Sequence, residues 1–376
     1  MNKLGFLIFF SLYTLINFYI FWRGRQALPK DTLIQTIYSV VFVILAYGYV
    51  ISVFLEGKIS PLITAIGDNI GGVWIISLIY FLFMVILADA FRLGNHFFGI
   101  FPEFVRENYQ QVKLIYFGSV LLIFGILFTI GYIRFSNPVL VNLNIEVNKG
   151  APGQEPLNIV AVSDVHLGDM IRKNRLARYV EMINKHNPDL ILIAGDLFDR
   201  NLHTIERQQM DTELRKLEAK YGVFAILGNH EYYGNLNKAI EVIKKSGINF
   251  LRDTTVTIDN KVVLIGRDDR TNHHRKPLGH LTENIRKDLP VILLDHQPYH
   301  LKDAVDNNID LQISGHTHNG QIFPFNKIVA RMYELGYGYK KTGNTHFYVS
   351  SGLGLWGAPI RLGTQSEIVK ITLNFR

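Results

Sequence analysis

The chain has 376 residues, 48% of them hydrophobic, a net charge of +7 and no cysteine. That length suggests two units at ~100–200 residues per domain. The absence of cysteine excludes disulfides, zinc ribbons, iron–sulfur clusters and a thiol nucleophile. Mean hydropathy is +0.14, but that average hides two different stretches. Residues 1–150 carry 10 Lys/Arg and 7 Asp/Glu, and residues 151–376 carry 29 and 25. The first stretch is poor in charge and the second has an ordinary globular composition. The basic excess is spread over both and no Lys/Arg run stands out, so no nucleic-acid partner is expected.

Four uncharged apolar runs come first: Leu4–Trp22, Leu33–Leu55, Asn69–Ala88 and Leu114–Ile133. About 20 apolar residues at 1.5 Å rise cover a ~30 Å hydrocarbon core. The runs predict a transmembrane domain over 1–135 with helices at about 4–22, 33–55, 69–91 and 114–134, and hence a multi-pass integral membrane protein. The first run is too long for a signal peptide and lacks a small-x-small cleavage site. Arg23, Arg25 and Lys30 fill the first loop and Arg92, Arg106 and Lys113 the third, against Lys58 in the second and Lys3 at the N-terminus. The positive-inside rule therefore places loops one and three in the cytoplasm and the C-terminal domain on the extracytoplasmic side. Asp89, one turn from Arg92, reads as a paired interfacial acid rather than a transport residue.

A linker with a first strand is expected over 136–156, and an α/β domain over 157–376. Strand-like runs recur at 140–147, 157–163, 190–194, 223–227, 262–266, 291–294, 311–314, 347–350 and 368–373. Helical patterns occupy 172–186, 205–220 and 236–245. This alternation predicts a sheet sandwich covered by helices.

Five polar motifs follow apolar runs: Ser163-Asp-Val-His166, Gly195-Asp-Leu-Phe-Asp-Arg200, Gly228-Asn-His-Glu231, Asp295-His296 and Gly315-His-Thr-His318. In open α/β sheets, sites form at the carboxyl ends of strands. Residues i and i+2 of extended backbone share a side, so Asp164 with His166, and His316 with His318, can each face one cavity. Asn-His-Glu by itself also fits a helix start with an acid in its first turn. Carboxylate, imidazole and carboxamide without sulfur suit divalent manganese first, with iron and zinc as alternatives. A bridging aspartate lets such a set hold two ions ~3.5–4 Å apart, the spacing of two-metal phosphate chemistry.

In this ordered set, residues 155–376 resemble the calcineurin-like metallophosphoesterases. The resemblance implies a four-layer αββα sandwich and metal-dependent hydrolysis of a phosphodiester, phosphomonoester or pyrophosphate. It implies Asp164, His166, Asp196 and His318 as ligands of a first metal. Asp196 (bridging), Asn229, His296 and His316 would hold a second. His230 matches the catalytic histidine and Asp199 the acid that orients it. Arg200, with Asn229, matches residues that contact phosphate. The segments Gly315–Pro324, Ser351–Gly354 and Pro359–Arg361 resemble the membrane-associated subgroup that includes transmembrane metallophosphoesterase-domain proteins. Asn319 stands where a glycine commonly follows the His-Thr-His, which alters the pocket rim but no ligand.

The tether to four spans points to a lipid or cell-envelope phosphoester as substrate and membrane lipid as partner. UDP-diacylglucosamine-type pyrophosphate hydrolysis is an alternative that the expected topology opposes. A non-catalytic membrane sensor or scaffold is the alternative of another class. Three features stay open: Arg361 as a phosphate binder or a surface ion pair, Arg267–Arg275 as a pocket lid or a solvated loop, and Trp356 as a lipid-dipping, gating or packed turn residue.

Overall fold

The computed structural model describes residues 3–54, 61–150 and 154–376. Leu55 and Lys58, read above as a span end and a loop charge, lie outside the described residues. The chain divides into two packed units, Met1–Ile130 with Gly357–Pro359, and Gly131–Trp356 with Ile360–Arg376.

The first unit is helical. Its elements are α1 (Lys3–Ala27), α2 (Thr32–Phe54), α3 (Pro61–Phe98), the short α4 (Glu103–Glu107) and α5 (Tyr109–Ser136), which runs on past Ile130. Four of them are long and apolar enough to cross a membrane. Most of their large side chains face outward, as apolar helices do when lipid is their solvent. Among the described residues an aromatic cluster holds the centre, with Phe42 edge-on to Trp74 at 5.0 Å between ring centroids. Asp89 is paired as the sequence suggests, and more fully: it meets Arg92 at 3.0 Å and Arg23 of α1 at 2.6 Å.

The second unit contains two six-stranded sheets. The strands are β1 (Val139–Val147), β2 (Leu157–Val162), β3 (Leu190–Ala194), β4 (Val223–Ile226), β5 (Asn249–Phe250), β6 (Thr254–Ile258), β7 (Val262–Gly266), β8 (Val291–Leu294), β9 (Leu311–Ser314), β10 (Gly338–Thr342), β11 (Thr345–Val349) and β12 (Glu367–Phe375). One sheet runs β1-β12-β2-β3-β4-β5 and the other β10-β11-β9-β8-β7-β6. The neighbours β2, β3 and β4 are mutually parallel, as are β7, β8, β9 and β11.

Period-two alternation decides the layers. Ile159, Leu192 and Ile226 of the first sheet pack against Leu264, Ile292 and Ile313 of the second, in one core between the sheets. The alternate residues Val160, Ile193 and Ala225 face Leu176, Val180 and Ile243 on helices. Val263, Val291 and Leu293 likewise face Leu281 and Leu301. The result is four layers, helix–sheet–sheet–helix, the sandwich expected. Strands covered on both faces read as unbroken apolar runs, which is why these segments are plain in the sequence. Each buried Leu or Ile contributes about 1.5–3 kcal/mol.

One helical expectation fails. The stretch 205–220 forms two single-turn helices, His203–Arg207 and Met210–Leu214, because Gln209 between them adopts a left-handed conformation at φ 50°. A left-handed residue cannot continue a right-handed helix.

Candidate metal centre

Parallel order brings the ends of β2, β3 and β4 side by side, and those of β8 and β9 beside each other in the facing sheet. Each end leads straight into one of the five polar motifs. The loops are then joined to one another. His166 N–H donates to Asp196 O at 3.0 Å and Asp164 N–H to Gly195 O at 3.0 Å, while Gly315 N–H donates to His296 O at 2.9 Å.

The backbone here is strained. Asp164, His166, Asp196, His316 and His318 all take φ between 49° and 69°. Left-handed geometry costs a non-glycine residue roughly 1–2 kcal/mol, and such residues cluster where function requires them. Two glycines permit the approach. A Cβ on Gly315 would overlap the Asp164 carboxylate, and one on Gly195, at φ 87°, would lie 2.5 Å from His296 Nδ1.

Hydrogen bonds fix three of the donor side chains, Asp164, Asp196 and His296. His316 N–H donates to both Asp164 oxygens, at 3.0 and 3.1 Å, and the Ser163 hydroxyl donates to Oδ2. His230 N–H donates to Asp196 Oδ1 at 2.8 Å, which leaves Oδ2 free. His296 Nδ1 donates to Ala194 O at 2.8 Å, which turns Nε2 toward the centre.

The free atoms form two groups. Asp164 Oδ1 lies 3.4 Å from His318 Nε2, and His318 Nε2 lies 3.2 Å from His166 Nε2. Asn229 Oδ1 lies 2.8 Å from His316 Nδ1 and 3.3 Å from His296 Nε2. Asp196 Oδ2 stands between them, 3.7 Å from His166 Nε2 and 3.2 Å from His296 Nε2. Asp164, His166, Asp196 and His296 are each at most 1% exposed. Buried carboxylates facing buried imidazole and carboxamide acceptors call for a shared cation. Among the described residues His166 Nδ1 and His318 Nδ1 have no hydrogen-bond partner, and both rings turn Nε2 toward the centre. The donor set thus fits two divalent ions with nitrogen and oxygen ligands.

Electrostatics agree. Burial pushes His166 down to about 4, and burial with the neighbouring His296 does the same to His316. Both are therefore neutral and able to ligate at neutral pH. Burial opposes ionisation of Asp196, but His296 and its hydrogen bond hold that carboxyl well below its usual range.

His230 differs. Its Nδ1 lies 2.9 Å from Asp199 Oδ1, and its ring sits edge-on to His166 at 4.5 Å. Burial opposes its charge, but Asp199 and Asp196 raise it above the ordinary histidine value. His166, Asp199 and His230 are also close enough to share an ion. Asp199 already accepts from His230, and its side chain is 40% exposed, so the two form a hydrogen-bonded pair beside the centre. Arg200 is exposed and lies over the Tyr233 ring, 5.4 Å from its centroid, a stack that places it next to His230's neighbour.

Two residues have supporting roles that their motifs did not disclose. Glu231 is buried and accepts from Phe198 N–H at 2.9 Å and Gly228 N–H at 2.8 Å, tying two site loops together. The helix-start reading of Asn-His-Glu therefore holds alongside the site role of its neighbours. Asp295 turns from the centre to Arg267 and Arg275, 2.9 Å from each.

Both open readings of Arg361 fail. It is 0% exposed and has no ion-pair partner within reach among the described residues. Its guanidinium instead donates to the carbonyls of Ser351 and Gly354 at 2.6 Å each, Gly352 at 3.2 Å and His318 at 3.3 Å. It holds the β11–β12 loop against the first ligand group. The 267–275 segment is solvated only in part: Asp268 and Asp269 are each 1% exposed, Asp268 pairs with Arg252 at 2.8 Å, and His273 and His274 are exposed. Trp356 is 57% exposed.

Residues 157–320 match the family Calcineurin-like phosphoesterase. The chain is 28% identical to a transmembrane protein with metallophosphoesterase domain from Danio rerio, over 99% of this chain and 89% of that one. It is 33% identical to an uncharacterized metallophosphoesterase from Aquifex aeolicus, over 61% and 89%. A further uncharacterized metallophosphoesterase, from Helicobacter pylori, is 30% identical over 77% and 80%.

Proposed function

Since the chain belongs to the calcineurin-like metallophosphoesterases, we propose that it is a membrane-anchored hydrolase that cleaves a phosphate ester or pyrophosphate at the strand-end centre. The observation that carries this reading is the convergence of seven donor residues in two groups that share Asp196 Oδ2. Asp164, His166, Asp196 and His318 would hold one divalent ion, and Asp196, Asn229, His296 and His316 the other. Such ions supply Lewis acidity and a water that is nucleophilic at neutral pH. Manganese suits the ligands best, with iron or zinc as alternatives.

The protein's own groups supply the rest. His230 carries the proton for the leaving oxygen, its basicity raised by Asp199 and Asp196. Asp199 fixes that ring by accepting from Nδ1. Arg200, held on Tyr233 at the exposed margin, adds positive charge for the phosphoryl oxygens. Asn229 orients substrate as well as ligating.

The loop charges support an extracytoplasmic catalytic domain. With the membrane tether, they favour a lipid or envelope phosphoester. The test is turnover of a chromogenic phosphodiester by the full chain in detergent, before and after chelation. Activity lost on chelation and restored by manganese supports the reading; a metal-replete chain without phosphoesterase activity toward diester, monoester or pyrophosphate favours a scaffold. Protease accessibility of the domain in intact cells decides the side.

A further inference from the structure

The helical unit contains a cavity of about 760 Å³ opening between α1, α2, α3 and α5. That lies within the ~300–1,000 Å³ range of small-ligand sites. Its floor is the buried cluster of Ile20, Phe42 and Trp74, each 7% exposed. The cavity therefore reaches into the bundle. At its other end stand Arg23, Arg92 and Lys113, with Asp89 the one carboxylate among the described lining residues. Asp89 is fully engaged by Arg23 and Arg92, at 2.6 and 3.0 Å.

A second cavity, of about 590 Å³, adjoins the first by sharing Leu28 and Lys113. It is polar, and it adds Arg25 and Lys30 with no carboxylate among its described lining residues. Arg25 Nε donates to Gln35 Oε1 at 3.1 Å and Lys113 Nζ to Gln26 O at 2.9 Å. Neither of these acceptors carries a charge, so three cations face this cup without a counter-ion among the described residues. An apolar slot that ends in a cationic cup is amphiphilic in shape and in charge. The positive-inside rule explains basic loops, but not their gathering round the mouth of a cavity that enters the bundle.

We propose that this paired cavity is a binding site for an anionic phospholipid of the surrounding bilayer. The phosphate would lie among Arg25, Lys30 and Lys113, and an acyl chain would run along the slot toward Trp74. Basic pockets between membrane helices recognise anionic head groups in this way. The site uses no residue of the metal centre, and its failure would leave the phosphoesterase reading untouched.

The test is native mass spectrometry of the full-length chain in detergent, titrated with phosphatidylglycerol or with phosphatidylcholine of the same acyl chains. Phosphatidylglycerol should bind at least about tenfold more tightly, given three unpaired cations. The triple variant Arg25→Gln/Lys30→Gln/Lys113→Gln should bring the two lipids to parity, and Lys30→Gln alone, on a loop, should narrow the gap without touching the bundle. Ala88→Phe, which fills the slot, should weaken both lipids. Equal binding of the two lipids by the wild type overturns the proposal. So does an undiminished phosphatidylglycerol preference in the glutamine variants that keep the wild-type melting temperature, or unchanged lipid binding by Ala88→Phe.

Discussion

The backbone N–H of His230 donates to Oδ1 of Asp196 at 2.8 Å. One hydrogen bond therefore ties His230, the acid proposed above, to the carboxylate that lies between the two ligand groups. It occupies one oxygen of Asp196 and leaves the other facing His166 and His296. The position of His230 and the orientation of Asp196 are thus one structural feature.

Replacing that carboxylate tests the bridge. Asp196→Asn keeps the shape but removes the negative charge, and presents either a neutral oxygen or an N–H to His296 Nε2. We expect loss of at least one bound ion per chain and a fall in turnover of 10²-fold or more, as is typical when an electrostatic catalytic group is removed. Metal analysis and kinetics on the same preparation check both.

His230→Ala separates acid catalysis from metal binding. The variant should keep its metal, because Asp196 Oδ1 accepts from the backbone and not from the lost ring. Its turnover should fall about 10²–10⁴-fold with a poor leaving group. With a nitrophenolate leaving group, which needs little protonation, the loss should be much smaller. Equal losses for both substrates would remove His230 from the acid role.

Asp199→Asn probes orientation. An amide oxygen can still accept from His230 Nδ1, but it no longer stabilises the imidazolium. The pair is 2.9 Å apart and Asp199 is 40% exposed to water, so the effect should be smaller than that of His230→Ala. The same dependence on leaving group should persist in weaker form.

Arg361→Met tests the buried clamp. The substitution strands carbonyls of Ser351 and Gly354, each now bonded at 2.6 Å. An unsatisfied buried group costs about 1–3 kcal/mol. Together, at about 2–6 kcal/mol, they should lower the melting temperature by roughly 4–24 °C, at about 2–4 °C per kcal/mol for a unit of this size. A melting temperature within a degree of wild type would show that the guanidinium is dispensable.

Much of this was legible in the sequence, for physical reasons. Strands such as Leu190–Ala194 and Val291–Leu294 are covered on both faces, so all their residues are apolar. Edge strands gave no such signal. Thr254–Ile258 and Gly338–Thr342 flank the second sheet, are partly exposed, and carry threonine, lysine and tyrosine. The donors at the strand ends stood out because acids, histidines and glycines recur in order after apolar runs. Their supports did not. Nothing local marks Arg361 as buried, since its partners are carbonyls from segments 7 to 43 residues away. Asp268 and Asp269 likewise look like surface acids until the fold surrounds them with Arg252, Gln297 and Tyr232.

The most direct test of a shared two-ion centre is metal stoichiometry of the purified full-length chain loaded with manganese, measured alongside Asp196→Asn. We predict two ions per wild-type chain, with phosphoesterase activity that follows their occupancy, and at most one in the variant. Two ions retained by Asp196→Asn with activity unchanged, or wild-type activity that persists in metal-free protein, would contradict the account.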